Sequence, residues 1–199
     1  MIKTRQRIIR AATKLFAKKG LNGTSVREIS RKASVNLAAI NYHFQSKEQI
    51  YREIVAHHFQ RLGENIAQLD QQKIDDEESY IKRFVEHNLD LLFHGDREME
   101  GIVARELSTL SNRGHHLTQG YFKPALTSLT KRIQKGIAGK RFRRVNPTLA
   151  ALSLIGMCLF CANKQGLLAA TLGVDTLSDQ FRARMATHVT ELFLRGIRK

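Results

Sequence analysis

The sequence predicts an all-helical fold, on three observations. Pro124 and Pro147 are the only prolines in 199 residues. No segment alternates apolar and polar residues over a convincing strand length, and apolar residues recur at three- and four-residue intervals along most of the chain. A chain of this length, 42% hydrophobic, can bury a substantial core. No internal repeat or low-complexity tract interrupts the pattern.

Taken in order, the first helix spans about Thr4 to Lys19, burying Ile8, Ala12, Leu15 and Phe16 while Arg5, Arg7, Arg10 and Lys14 occupy its other side. Gly20 stands where helices commonly stop. The second starts at Ser25, whose hydroxyl and Glu28 can form a reciprocal capping box, buries Val26 and Ile29, and ends near Ala33. Asn36 is the N-cap of a third helix, Leu37 to Phe44. Ser46, with Gln49 three residues on, opens a long fourth helix with Ile50, Ile54, Leu62, Ile66 and Leu69 on one side. The acidic run Asp75 to Glu78 suits the positive N-terminal end of a fifth. Further helices are expected at 79–93, 96–110, 117–138, 147–172 and 177–197, with Asn146-Pro147 as cap and first-turn proline.

Charge then selects the partner. The formal net charge is +15, and it is concentrated at the start: residues 1–52 hold 12 Lys and Arg against Glu28 and Glu48, whereas 53–199 hold 21 against 16 acids. A basic head precedes a nearly ordinary body, which favours a polyanion. The head's helices are short, and isolated helices below about 12–15 residues are marginal in water. Short helices clamped on their apolar side and free on the other are the logic of the helix-turn-helix, in which the second helix enters the major groove and helix N-termini meet phosphates. Here Ile40 and Phe44 can face inward with Val35, leaving Ala38, Ala39, Asn41, Tyr42 and His43 for DNA. Ala38 and Ala39 suit thymine methyls, Asn41 suits adenine, and Lys47 sits at a helix N-terminus where a phosphate would dock. Thr24, Ser25 and Arg27 at the second helix, and Asn36 and Leu37 at the third, complete the candidate DNA-binding set.

The run TSVREISRKASVNLAAINYHFQSKEQIY, with LFAKKGLNGTS before it, resembles the N-terminal domain of the tetracycline-repressor (TetR) family over residues 4–54. Two departures stand out. Ser34 replaces the usual turn glycine, so the turn must accept a side chain. Asn41 stands where a tyrosine is often found, which removes a phosphate contact. VARELS at 103–108, GYFKPAL at 120–126 and NPTLAALSLIGMCLFCANKQGLL at 146–168 resemble the C-terminal domain of the CecR-type branch. The resemblance implies a helix-turn-helix domain at 1–50 and a helical effector-binding and dimerisation domain at 51–199. It also implies a homodimer whose two final long helices form a four-helix interface, and repression relieved by a small-molecule effector. Phe181, Met185, Val189 and Leu192 make a stripe that agrees, as does the weakly charged helix with Leu152, Ile155, Leu159 and Ala162. The expected partners are palindromic operator DNA, a second copy of the chain and that effector, with no cofactor and no membrane.

Other constellations are weaker. Cys158 and Cys161 form a C-x-x-C without the neighbouring strand of a thiol oxidoreductase or the second pair of a zinc ribbon. Two buried core residues are the plain reading, and a thiol-based redox protein is the rival. A second rival is an architectural DNA binder with no effector. His57-His58 and His115-His116 lack ligand spacing, although His116 near Arg113 can border a pocket. The cationic run from Lys131 to Arg144 reads as a solvated helix end, with a second DNA contact as alternative. No G-x-S-x-G, phosphate loop or paired catalytic carboxylates occur, so no enzyme is expected. Arg105 and Glu106, in an otherwise apolar helix, are the best effector-pocket candidates, with Phe122, Met157, Phe160 and Cys161 lining the same cavity. No 7–15-residue apolar stretch follows Met1, so a cytoplasmic protein, nucleoid-associated when on DNA, is expected.

Overall fold

A computed structural model describes residues 2–93, 97–108, 118–176 and 178–199. Among the described residues there are ten α-helices: α1 (Ile2–Lys19), α2 (Val26–Ala33), α3 (Leu37–His43), α4 (Lys47–Gln71), α5 (Glu77–Phe93), α6 (Arg97–Ser108), α7 (Lys123–Ala138), α8 (Pro147–Asn163), α9 (Gln165–Leu172) and α10 (Asp179–Ile197). A π-helical turn, Thr118–Phe122, leads into α7. The chain divides into two compact units, one of residues 1–61 and 96–120, the other of 62–95 and 121–199. The division falls within α4, and α6, which packs against α1, belongs to the first unit.

In the first unit α1 is the common neighbour of α2, α3 and α6. Ile8, Ala12, Phe16, Ile29, Ile40, Phe44 and Ile50 are all almost fully buried. Phe16 and Tyr51 meet edge to face at 5.2 Å between ring centroids. Burying each large side chain contributes about 1.5–3 kcal/mol, far more than helix propensity supplies to seven- and eight-residue helices.

The second unit is organised around α5, whose Tyr80, Ile81, Phe84, Val85 and Leu89 are completely buried. It packs against α10, α8 and α7. Its entry is capped as the acidic run implies: Asp76 Oδ1 accepts from the Ser79 backbone N–H at 2.9 Å. One buried and one partly buried polar cluster adjoin the apolar packing. Tyr121 donates to Asn88 Oδ1 at 2.7 Å, and Tyr80 and Ser128 both approach Asp70.

The helix expected over 147–172 is two helices. Lys164 adopts φ −116° and ψ 24°, and α9 leaves α8 at 70°. Gln165 is turned inward there, its carbonyl accepting from the Thr176 hydroxyl at 3.1 Å. Among the described residues, no single helix is long and apolar enough to cross a membrane.

Candidate nucleic-acid interface

The α2–α3 pair is fixed by caps at every end. Ser25 Oγ accepts from the Glu28 backbone N–H at 3.2 Å, and the Ser25 backbone N–H donates to Glu28 Oε2 at 2.9 Å, closing the expected box. Lys19 hydrogen-bonds the same carboxylate. The Lys19 side chain, then the Ser25 backbone and hydroxyl, pull the Glu28 carboxyl from its ordinary 4.5 to about 2. The turn does accept a side chain. Ser34 takes the left-handed conformation, φ 51° and ψ 50°, and its N–H donates to Arg31 O and Ser30 O. Asn36 Oδ1 then accepts from the Ala39 N–H at 2.8 Å to start α3.

Held in this way, α3 turns Ile40 (1% exposed) into the core and leaves Leu37, Ala38, Asn41 and Tyr42 exposed, Tyr42 at 73%. Ala39 and His43 are half-buried at the edges of that face, with the Tyr42 and His43 rings in edge contact at 5.0 Å. The exposed face displays methyl groups, an amide, a phenol and an imidazole together, the functional groups that read base edges. Ser25 and Arg27 are exposed at the start of α2, and Asn36 at the start of α3. The N-termini of α2 and α4 line one cleft of about 530 Å³ with Asn22, Gly23, Gln45 and Lys47. Glu28 and Glu48 line the same cleft, and the Glu28 and Gln49 N–H groups are capped by Ser25 and Ser46, so Lys47 is its one cationic side chain.

Several candidates stand elsewhere than expected. Thr24 is 1% exposed and its hydroxyl donates to Gly20 O at 2.8 Å, so its side chain belongs to the core of the unit and not to the DNA face. Lys47 Nζ donates to Leu21 O at 3.0 Å and Thr24 O at 2.9 Å, tying the α1–α2 loop to α4 and leaving one N–H for a phosphate. On α1, Arg7 donates to Ser34 O at 2.7 Å, while Arg5 pairs with Glu53 and lies over the Phe44 ring at 5.3 Å. The sequence marks these arginines only as basic; the structure makes them braces for the turn and for α3.

The effector candidates also separate. Arg105 is exposed and reaches backbone carbonyls of α1. Its guanidinium donates to Phe16 O at 3.1 Å and Ala17 O at 2.9 Å in the last turn of α1, and to Gly101 O of its own helix at 3.0 Å. Phe160 is 55% exposed on the same side of α8 as Leu149 and Leu152, so it lies on an outer stripe instead of lining an enclosed cavity. Phe122, Met157 and Cys161 are half-buried. The side chain of Glu106, Arg113 and the His115-His116 pair lie outside the described residues. Cys158 is fully buried in mid-helix, and burial, with Cys161 beside it, pushes its thiol up to about 12; burial raises Cys161 as well. Neither thiol ionises readily near neutrality, which removes the nucleophile that a thiol-based redox protein needs.

A seven-residue helix clamped from behind, with an outward polar face and two helix starts beside it, defines a helix-turn-helix DNA-binding transcriptional regulator. Comparison with known proteins agrees. Residues 8–54 match the profile of bacterial regulatory proteins of the tetR family, and residues 77–199 that of the tetracyclin repressor-like C-terminal domain. The chain belongs to the tetR family, and the C-terminal match supports the family as a whole rather than the CecR-type branch. It is 28% identical over 203 residues to the HTH-type transcriptional repressor NicS of Pseudomonas putida, covering 99% of this chain and 93% of that protein. Its fold is similar to FadR of Bacillus subtilis, solved in complex with stearoyl-CoA (TM-score 0.74, 19% identity, 96% and 98% of the two chains). It is also similar to AibR, solved with isovaleryl coenzyme A and operator DNA (TM-score 0.74, 19% identity, 95% and 97%).

Proposed function

We propose that this regulator acts as a cytoplasmic homodimeric repressor. Its two α3 helices read the half-sites of a palindromic operator, and a small molecule held in the C-terminal domain releases it. The observation that carries the DNA reading is the exposure of Leu37, Ala38, Asn41 and Tyr42 on a helix whose Ile40 is buried. On this reading Asn41 and Tyr42 contact bases, Arg27 and the Asn36 end of α3 approach the phosphates, and Lys47 uses its third N–H there.

Two outer faces support dimerisation. α8 exposes Leu149, Leu152 and Phe160 while burying Ala151, Leu154, Ile155 and Cys158 on the opposite side. α10 buries Ala186, Val189, Phe193 and Leu194 and exposes Leu192 in a groove of about 590 Å³ that Ala183, Thr187 and His188 line together with the charged Arg184, Glu191 and Arg195, so the doubly apolar helix is α8. A helix apolar on both sides needs two partners, and a second copy supplies the outer one. The effector reading rests on the half-buried Phe122, Met157 and Cys161, and on the acyl-CoA ligands of FadR and AibR, which make an apolar ligand with an anionic head the class to test first.

Selection of bound fragments from random duplex DNA tests the proposal. The expected product is an inverted repeat with half-sites roughly 34–36 Å apart or a modest extension of that. Recovery of unrelated sequences, or of single half-sites bound by a monomer, would overturn it.

A further inference from the structure

We propose that the second unit carries its own sequence-independent binding surface for duplex DNA, formed where the loop after α7 pairs with the C-terminal end of α10. The body's charge is not spread evenly. Ten of the 21 Lys and Arg beyond residue 52 fall in residues 131–144 and 195–199, which contain no acid, and the other eleven are set against all 16 acids. Outside this patch the body is therefore net negative, so the patch is a local feature and not a share of general basicity.

The structure also gathers these cations and holds them still. Phe142 and Arg198 form an antiparallel bridge, with the Arg143 N–H donating to Ile197 O at 2.8 Å and the Lys199 N–H to Arg141 O at 3.2 Å. Phe142 is 1% exposed and pressed onto α7, where a Cβ on Gly136 would come within 2.2 Å of its ring. Its neighbours Lys140, Arg141, Arg143 and Arg144 are all exposed. Acids meet only part of this charge. Glu77 pairs with Lys135 and Arg141, Glu78 with Arg198, and Glu191 with Arg195. Burial pushes the Glu77 carboxyl up, but Lys135 and Arg141 outweigh it and hold it below the ordinary value. A helix C-terminus carries about half a negative charge, which one or two cations satisfy, so the dipole of α7 or α10 does not account for ten. Among the described residues Lys131, Arg132, Lys140, Arg143, Arg144 and Lys199 have no acidic partner, although Arg132 lies over the Tyr80 ring at 4.3 Å and Arg143 Nε donates to Gly196 O at 2.6 Å. A cationic surplus of this kind fits phosphate oxygens, and duplex DNA is the polyanion that a regulator meets. Phosphate contacts carry no sequence information, so the surface would hold any duplex and let a protein bound at its operator retain a second segment.

The test uses full-length protein with the head disabled by Ala38→Glu and Asn41→Asp, so that failure here is separate from failure of the operator reading. Binding to a non-operator duplex is measured against salt, with and without Lys131→Gln, Lys140→Gln and Arg144→Gln. The head-disabled protein is expected to bind with a salt slope that falls by up to about 2.7 on the triple change, three phosphate contacts at roughly 0.9 each. Arg144→Gln alone should lower it by up to about 0.9, which guards against misfolding of the triple variant. With an intact head, wild-type protein on immobilised selected operator should capture a second, labelled non-operator duplex that the triple variant loses. An unchanged slope, no binding by the head-disabled protein, or capture of polyglutamate in place of duplex would overturn the proposal, the last assigning the patch to an acidic polypeptide.

Discussion

Lys47 separates two physical roles that a sequence cannot distinguish. Its ammonium lies 3.0 Å from Leu21 O and 2.9 Å from Thr24 O, in a loop whose Thr24 is 1% exposed. Replacing it in Lys47→Met keeps the aliphatic stem and removes both hydrogen bonds. A bond to a charged group contributes about 1.5–3 kcal/mol, which for two gives an upper bound near 3–6 kcal/mol. Lys47 is only half-buried, and water can reach the vacated carbonyls, so the expected loss is about 1–2 kcal/mol. Urea unfolding at matched protein concentration reads that loss as a lower midpoint. The salt dependence of operator binding reads the other role, because one lost phosphate contact makes the slope shallower by about 0.9. A lower midpoint with a slope change of up to 0.9 is the expected pair. An unchanged midpoint together with a shallower slope would refute the reasoning, since the ammonium would then act on DNA alone and not as a tie between α1 and α4.

Other perturbations follow from the same geometry. Ser34→Gly should stabilise the protein by up to about 1 kcal/mol in thermal unfolding, because the left-handed conformation costs a non-glycine residue about 1–2 kcal/mol and glycine's extra unfolded-state entropy returns part of it. Asn41→Ala should relax preference at one base position by about 1–3 kcal/mol in a competition series without changing the unfolding midpoint. Glu28 has a folded-state value of about 2 against 4.5, so its contribution to the α2 cap is complete above pH 4.5 and is lost as pH falls toward 2; Glu28→Gln should flatten the acid limb of the stability curve over that window. Peroxide should leave DNA binding intact, and Cys158→Ser should lower thermal stability, since a hydroxyl placed at a fully buried site lacks a partner. Release of wild-type protein by peroxide, abolished in the double serine variant, would restore the thiol reading.

What was legible in the sequence was local chemistry. The Ser25–Glu28 box, the Asn36 cap, the Ser46–Gln49 start of α4 and the Asn146-Pro147 start of α8 all depend on residues within four positions of one another, and all are present. The break at Lys164 was not legible because no proline or left-handed glycine marks it, and the bond formed beside it, from the Thr176 hydroxyl to the Gln165 carbonyl, comes from eleven residues on. The partners of Arg105 were not legible for a related reason. Arg105 and Glu106 in an otherwise apolar helix suggest a pocket, and two of the groups that Arg105 meets are backbone carbonyls 88 and 89 residues away, which carry no sequence signature. Thr24 was placed in the DNA-binding set, and its buried hydroxyl donates to Gly20 O just past α1, a partner that the local pattern does not mark. In each case the local pattern indicated a residue's type of chemistry and the tertiary structure determined which group received it.

The brevity of α2 and α3 follows from this division. Eight and seven residues cannot hold a helix in water, so every stabilising contact of α3 must come from one side. Ile40 and Phe44 supply the packing, Asn36 the cap, and Arg5 and Arg7 brace Phe44 and the Ser34 turn from α1. Of these groups only Asn36, at the start of α3, is also in the candidate DNA-binding set. Leu37, Ala38, Asn41 and Tyr42 therefore carry little of the folding energy, and exchanging them should alter which base pairs are favoured at little cost in stability. Changes at Ile40 should do the reverse, with Ile40→Ala losing about 2–5 kcal/mol and weakening all sites alike. A short helix held wholly from behind keeps specificity and stability on different residues, which is what a reading head needs in order to change its operator without unfolding.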